Sequence, residues 1–205
     1  MYLTKKMAWI DQTRRAKSRG ASLLEVLVSV VIASIGLLAL AGVNAASVRY
    51  TKMSQYRAVA TQLANDMGER MRANKGVPAS AGPPVVVATG YFAGDYDFTT
   101  DFAGQATKAT LPTELCNTAA SNCTPAEIAA FDLAQWRILV RDQLPEGSVY
   151  MMRQSGAVAM DLWVVWRDPA VADTADSPAL GTECPDGLSR NSDLSIRCSY
   201  FRINL

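Results

Sequence analysis

Few residues of this chain are placed where they could do chemistry, and one of them, Glu25, lies inside an apolar run. From Leu23 to Val43 every other position is apolar or small. A carboxylate at that depth costs on the order of 3 kcal/mol even on lenient insertion scales, so it calls for a partner. If the chain is cut after Gly20, a new amine appears at Ala21, four residues before Glu25. An amine and a carboxylate at that spacing can pair within one helix. They can equally pair between neighbouring chains, where the pair would set an axial register.

The remaining candidates are cysteines and acids. The chain has no histidine, which removes the most frequent general base and metal ligand. Four cysteines, Cys116, Cys123, Cys184 and Cys198, lie downstream of the apolar run. An even count in that position reads as disulfides in an oxidising compartment. Three pairings are possible; the local ones, Cys116–Cys123 and Cys184–Cys198, are expected because each brackets a short turn-like segment. No two cysteines have the Cys-x-x-Cys spacing of a zinc site. Asp95, Asp97, Thr99 and Asp101 begin like a calcium loop, but Thr100 and Ala106 stand where Gly and Glu are needed. The interleaved Tyr96, Phe98 and Phe102 instead predict a half-buried strand with its acids facing water. With no nucleophile–base pair, phosphate loop or metal cluster, neither an enzyme nor a cofactor is expected.

The elements that must position these residues follow from periodicity and charge. About 21 apolar residues at 1.5 Å each reach roughly 30 Å, a bilayer's hydrocarbon thickness. Lys5, Lys6, Arg14, Arg15, Lys17 and Arg19 against Asp11 alone give the first twenty residues a balance of +5. The positive-inside rule keeps that end cytoplasmic. From Gly76 onward, 8 basic residues face 15 acidic ones, a balance of −7 that argues against binding nucleic acid. After Val43, Ala46, Tyr50, Met53, Tyr56, Ala60, Leu63, Met67 and Met71 recur every three or four residues, one stripe of an amphipathic helix. No proline interrupts Ala21 to Val77, so one helix on the order of 80 Å can run to about Asn74. Gly36, Gly42 and Gly68 are its weak points.

Beyond it, Gly76 to Leu115 reads as a long connection. Thr124-Pro125-Ala126-Glu127 is a helix start with a capping box, and that helix stops by Pro145. Ser148 to Arg153 and Ile196 to Leu205 read as strands, and Ala157 to Arg167 alternates as one, with a tight turn expected at Ser155-Gly156. The fold class expected is α+β: a long N-terminal helix, hydrophobic then amphipathic, packed on a C-terminal antiparallel sheet.

A basic leader ending in Gly20, then Ala21 and Ser22-Leu23-Leu24-Glu25, then an apolar helix, resembles the type IV prepilins and pseudopilins. The segments Asn65–Asn74, Gln135-Trp136-Arg137, Leu144-Pro145-Glu146-Gly147 and Val164–Asp168 are similar to the PilV-type minor pilins. The resemblance implies cleavage between Gly20 and Ala21 by prepilin peptidase, methylation of the Ala21 amine, and an assembly role for Glu25. The family usually has Phe or Met where this chain has Ala21. It further implies residues 1–20 as a cleaved cytoplasmic leader, 21–43 as a transmembrane and filament-core helix, and 44–205 as a pilin globular domain. The implied partners are other minor pilins, the major pilin, the peptidase and the inner-membrane assembly machinery. The implied location is the inner membrane, then the pilus, with its tip as one position. Four other readings stand beside it: a minor pseudopilin of type II secretion, a surface adhesin on a pilin scaffold, an exported protein whose signal peptide ends near Ala39-Leu40-Ala41, and a plain unprocessed transmembrane anchor, which leaves Glu25 unexplained.

Overall fold

The computed structural model describes residues 20, 22–74, 96–118, 120–154, 159–169, 183–190 and 193–205. Two compact units are present, Met1–Ser47 and Val48–Leu205. Helix α1, Leu23–Ala73, supplies the described helix of the first unit and continues as the first element of the second. In the first unit its apolar side chains are exposed, Leu23 to 91% and Leu38 to 74%. It is long and apolar enough to cross a membrane.

In the second unit α1 buries Ala60, Leu63, Ala64, Met67, Gly68 and Met71. The expected stripe is half-buried at Met53 and Tyr56, holds onward from there and fails at Ala46, which is exposed, and Tyr50, 69% exposed. The core that the stripe serves starts near Tyr56 and Val59, so the earlier turns have nothing in that cluster to meet. Gly68 packs near Ile203, whereas Gly36 and Gly42 have open space where a Cβ would stand.

Helix α2, Pro125–Gln143, begins as its sequence requires. Thr124 Oγ1 accepts from the Glu127 N–H at 3.3 Å, and the Glu127 carboxylate accepts from the Thr124 N–H at 2.7 Å. Those two bonds satisfy donors that a helix N-terminus otherwise leaves open. The backbone N–H of Thr124, then its hydroxyl, hold the Glu127 carboxyl below its ordinary range. Trp136 is fully buried against α1 and donates its indole N–H to the Leu63 carbonyl at 2.8 Å.

Three antiparallel strands follow in the order β1-β2-β3: β1 Ser148–Arg153, β2 Ala159–Arg167 and β3 Ile196–Asn204. Ser155-Gly156 and Ala157-Val158 lie outside the described residues. The architecture is α+β, a long N-terminal helix with a C-terminal antiparallel sheet. Central β2 is covered on both faces. Met160, Leu162, Val164 and Trp166 join the α1 and α2 core, while Val165 joins a second cluster with Phe102, Tyr150, Leu188 and Ile196.

The segment read as a strand around Tyr96 to Phe102 is instead one isolated bridge, Phe98 to Met151, followed by a 3-10 turn at Ala103–Gln105. Its aromatics do turn inward, with Tyr96 at 1% and Phe102 at 7% exposure. The ladder stops because the Gln105 side chain takes over the next position on β1. Its carbonyl accepts from the Val149 N–H at 2.9 Å and its amide donates to the Val149 carbonyl at 2.7 Å. Asp101 serves the same turn, accepting from the Gly104 N–H at 2.7 Å.

Candidate functional site

The site expected from the sequence is the start of α1. Ser22 caps that helix: the Leu24 N–H donates to its hydroxyl at 3.2 Å, and the Glu25 and Val26 N–H groups donate to its carbonyl. Glu25 therefore stands in the first turn, where a carboxylate is favoured by the helix dipole. The Ser22-x-x-Glu25 spacing, that of a capping box, signals this helix start in the sequence. Gly20 is exposed, with open space around its Cα. Ala21, and so the cleavage bond and the amine opposite Glu25, lies outside the described residues. One turn on, the Ser29 hydroxyl donates to the Glu25 carbonyl at 2.7 Å, and Ser34 does the same to Val30. These serines thereby hide their donors within the apolar helix.

What the α1 start offers chemically is one acid on an otherwise apolar, uncovered surface. Monomeric proteins rarely expose apolar patches of such extent unless another molecule or a membrane covers them.

The cysteines are bonded as Cys116–Cys123 and Cys184–Cys198, with Cα separations of 6.0 and 5.1 Å. The second bond fixes Glu183 beside two cations. Glu183 accepts from Arg197 at 2.8 and 2.9 Å and from Arg57 of α1 at 3.3 Å. Among the described residues, no group of acids and cysteines is arranged to hold a metal ion.

Three polar clusters were not anticipated, because their members are far apart in sequence. Arg70 donates to Asp66 at 2.9 Å, Gln135 at 2.7 Å and Asp132 at 3.3 Å, tying the end of α1 to α2. Tyr96 adds its hydroxyl to Asp132 at 3.2 Å, and burial pushes its ionisation well above the ordinary tyrosine value. Arg167 bridges Glu146 at 2.8 Å and Asp193, and these two carboxylates raise it. On the face of the sheet away from α1, Asp161 accepts from Tyr200 at 2.6 Å, from Arg202 at 2.9 Å and from Gln154.

Residues 15–41 match the family model described as the prokaryotic N-terminal methylation motif. No curated protein and no solved structure matches the chain. The matched segment spans Gly20, Glu25 and most of the apolar run, and the long helix with its antiparallel sheet is consistent with a pilin-like chain.

Proposed function

We propose that this chain is a minor pilin of a type IV pilus, of the PilV type, and that its work is assembly rather than catalysis. The observation that carries the reading is the uncovered apolar start of α1 with one acid in its first turn. In this reading residues 1–20 are a cytoplasmic leader and 21–43 cross the inner membrane and later enter the filament core. Residues 44–205 form the globular domain on the periplasmic side. Prepilin peptidase cuts between Gly20 and Ala21 and the new amine is methylated. Glu25 then neutralises an amine of its own or a neighbouring chain, and the cost of an unpaired acid in the helix bundle rejects other registers. Joined with other minor pilins, the protein primes growth of the major-pilin filament at its tip. A minor pseudopilin of type II secretion rests on the same observation and differs in the filament entered.

The test is Glu25→Ala combined with intact mass of protein recovered from sheared pili. The wild type is expected to begin at methylated Ala21 with both disulfides formed. The variant is expected to be cut normally and to fall about tenfold in the pilus fraction, as an unfavourable 1.4 kcal/mol would give. Normal incorporation of the variant removes the pairing role. A mature chain beginning near Gly42 removes the filament reading altogether.

A further inference from the structure

The two edges of the sheet are treated differently, and the difference fixes where another chain can add. The parity of the ladders follows from β1. Val149 is held by Gln105 and Met151 by Phe98, so the odd residues of β1 point outward and its even residues bond β2. The registers then make Trp163 and Val165 of β2 face β1, and Leu162 and Val164 face β3. On β3, Ser199, Phe201 and Ile203 therefore bond β2, while Cys198, Tyr200 and Arg202 turn their N–H and C=O outward. Among the described residues those outward groups have no backbone or side-chain partner. At the end of the strand, the Asn204 carbonyl accepts from Arg72 at 3.4 Å.

A groove of about 350 Å³ runs along this open edge. It is lined by Arg57 and Thr61 of α1, by Glu183, and by Ser199, Tyr200 and Phe201 of β3. Along the β3 edge cations stand outermost, Arg57 in the groove and Arg202 on the sheet face away from α1. The Arg57 and Arg202 side chains are 52% and 50% exposed, whereas the carboxylates they pair with, Glu183 and Asp161, are 18% and 8% exposed. Arg72, paired with Glu69, stands 44% exposed at the Asn204 end.

An unblocked strand edge is a template for another strand, and natural sheets ordinarily cover or obstruct it. Among the described residues β1 is obstructed and β3 is not. We infer that the β3 edge is a docking site for an extended, acid-bearing segment of a partner subunit. That segment adds as a fourth strand through Cys198, Tyr200 and Arg202 and places carboxylates near Arg57 and Arg202. Backbone bonds would supply affinity and the cationic rim would select acidic strands. The inference does not lean on the minor-pilin reading, since it concerns only the sheet of the globular unit.

The test uses the full-length chain. In purified protein in detergent, the Tyr200 and Arg202 amides are expected to exchange hydrogen about a hundredfold faster than those of Ser199 and Phe201, as unpaired and laddered amides do. Equal protection would mean that the chain's own residues already occupy the edge, and would overturn the proposal. In cells, a benzophenone side chain in place of Thr61 is expected to cross-link one discrete acidic peptide of another polypeptide. Tyr200→Pro removes only an outward N–H from the backbone, a change that edge strands tolerate, and should cut the yield about tenfold. Tyr200→Ala keeps that N–H and should hold the yield within about twofold. The proposal fails if the adduct lies in this chain or a second copy of it. It fails equally if no adduct forms, or if Pro and Ala behave alike in variants shown to be folded.

Discussion

At the scale of single residues, Asp161 shows how competing effects settle. Burial alone would push its carboxyl up, but hydrogen bonds from Arg202, Tyr200 and Gln154 outweigh it and hold it below the ordinary range. The folded state therefore binds that proton less readily than the unfolded chain, whose aspartates titrate near about 3.9. The contribution to stability is complete above that value. It is lost as pH falls through the unfolded value toward the lower native one. Asp161→Asn should flatten this acid-side decline in unfolding midpoints measured from about pH 6 to pH 2. An unchanged slope would show that Asp161 is not the group responsible. Glu146 is a second settled conflict. It has a positive φ of 49°, in the left-handed region, directly after Pro145. Glycine would adopt it more easily, yet the glutamate side chain holds Arg167 across 21 positions of sequence.

At the scale of elements, the helix starts and the strands were legible because their signals are local. The Thr124-Pro125-x-Glu127 cap needs only neighbours, and the period-two pattern of Val158 to Trp166 announced β2. Less visible was whatever depended on distant partners. Gln105 standing in for a strand, Phe98 making one bridge rather than a ladder, and Arg70 reaching α2 are consequences of packing, and no spacing in the sequence encodes them. The failure of the α1 stripe at Ala46 and Tyr50 has a similar origin: periodicity marks a face but not where its cover begins. The α1–α2 contact offers a direct check. Trp136→Phe keeps most of the buried ring but leaves the Leu63 carbonyl only its helical bond. It should cost about 1–2 kcal/mol in denaturant unfolding. Trp136→Ala should cost about 3–5 kcal/mol, since a cavity is added. Equal losses for the two would mean that the indole ring, not its N–H, is dispensable there.

At the scale of the whole molecule, the two disulfides are bonds that persist in an oxidising environment. The bonds close separations of 7 and 14 residues, and loop entropy alone makes the longer one the more stabilising. Cys184–Cys198 also keeps Glu183 against Arg197, which is 5% exposed, so its loss would loosen that ion pair as well. Paired Cys184→Ser and Cys198→Ser substitutions should therefore lower stability by about 2–4 kcal/mol. The Cys116 and Cys123 pair should cost less when both are compared by chemical unfolding under oxidising conditions. The reverse order would show that the loop carrying Glu183 is held by something other than its disulfide.

Helix α1 contributes its first fully buried side chain to the core only at Ala60. Ahead of Tyr56 the helix contributes no side chain to either cluster. That stretch can accordingly change in composition with no penalty to the sheet. A fragment starting at Val48 would keep every side chain of both clusters, and the greasy segment could be grafted or exchanged as an independent part.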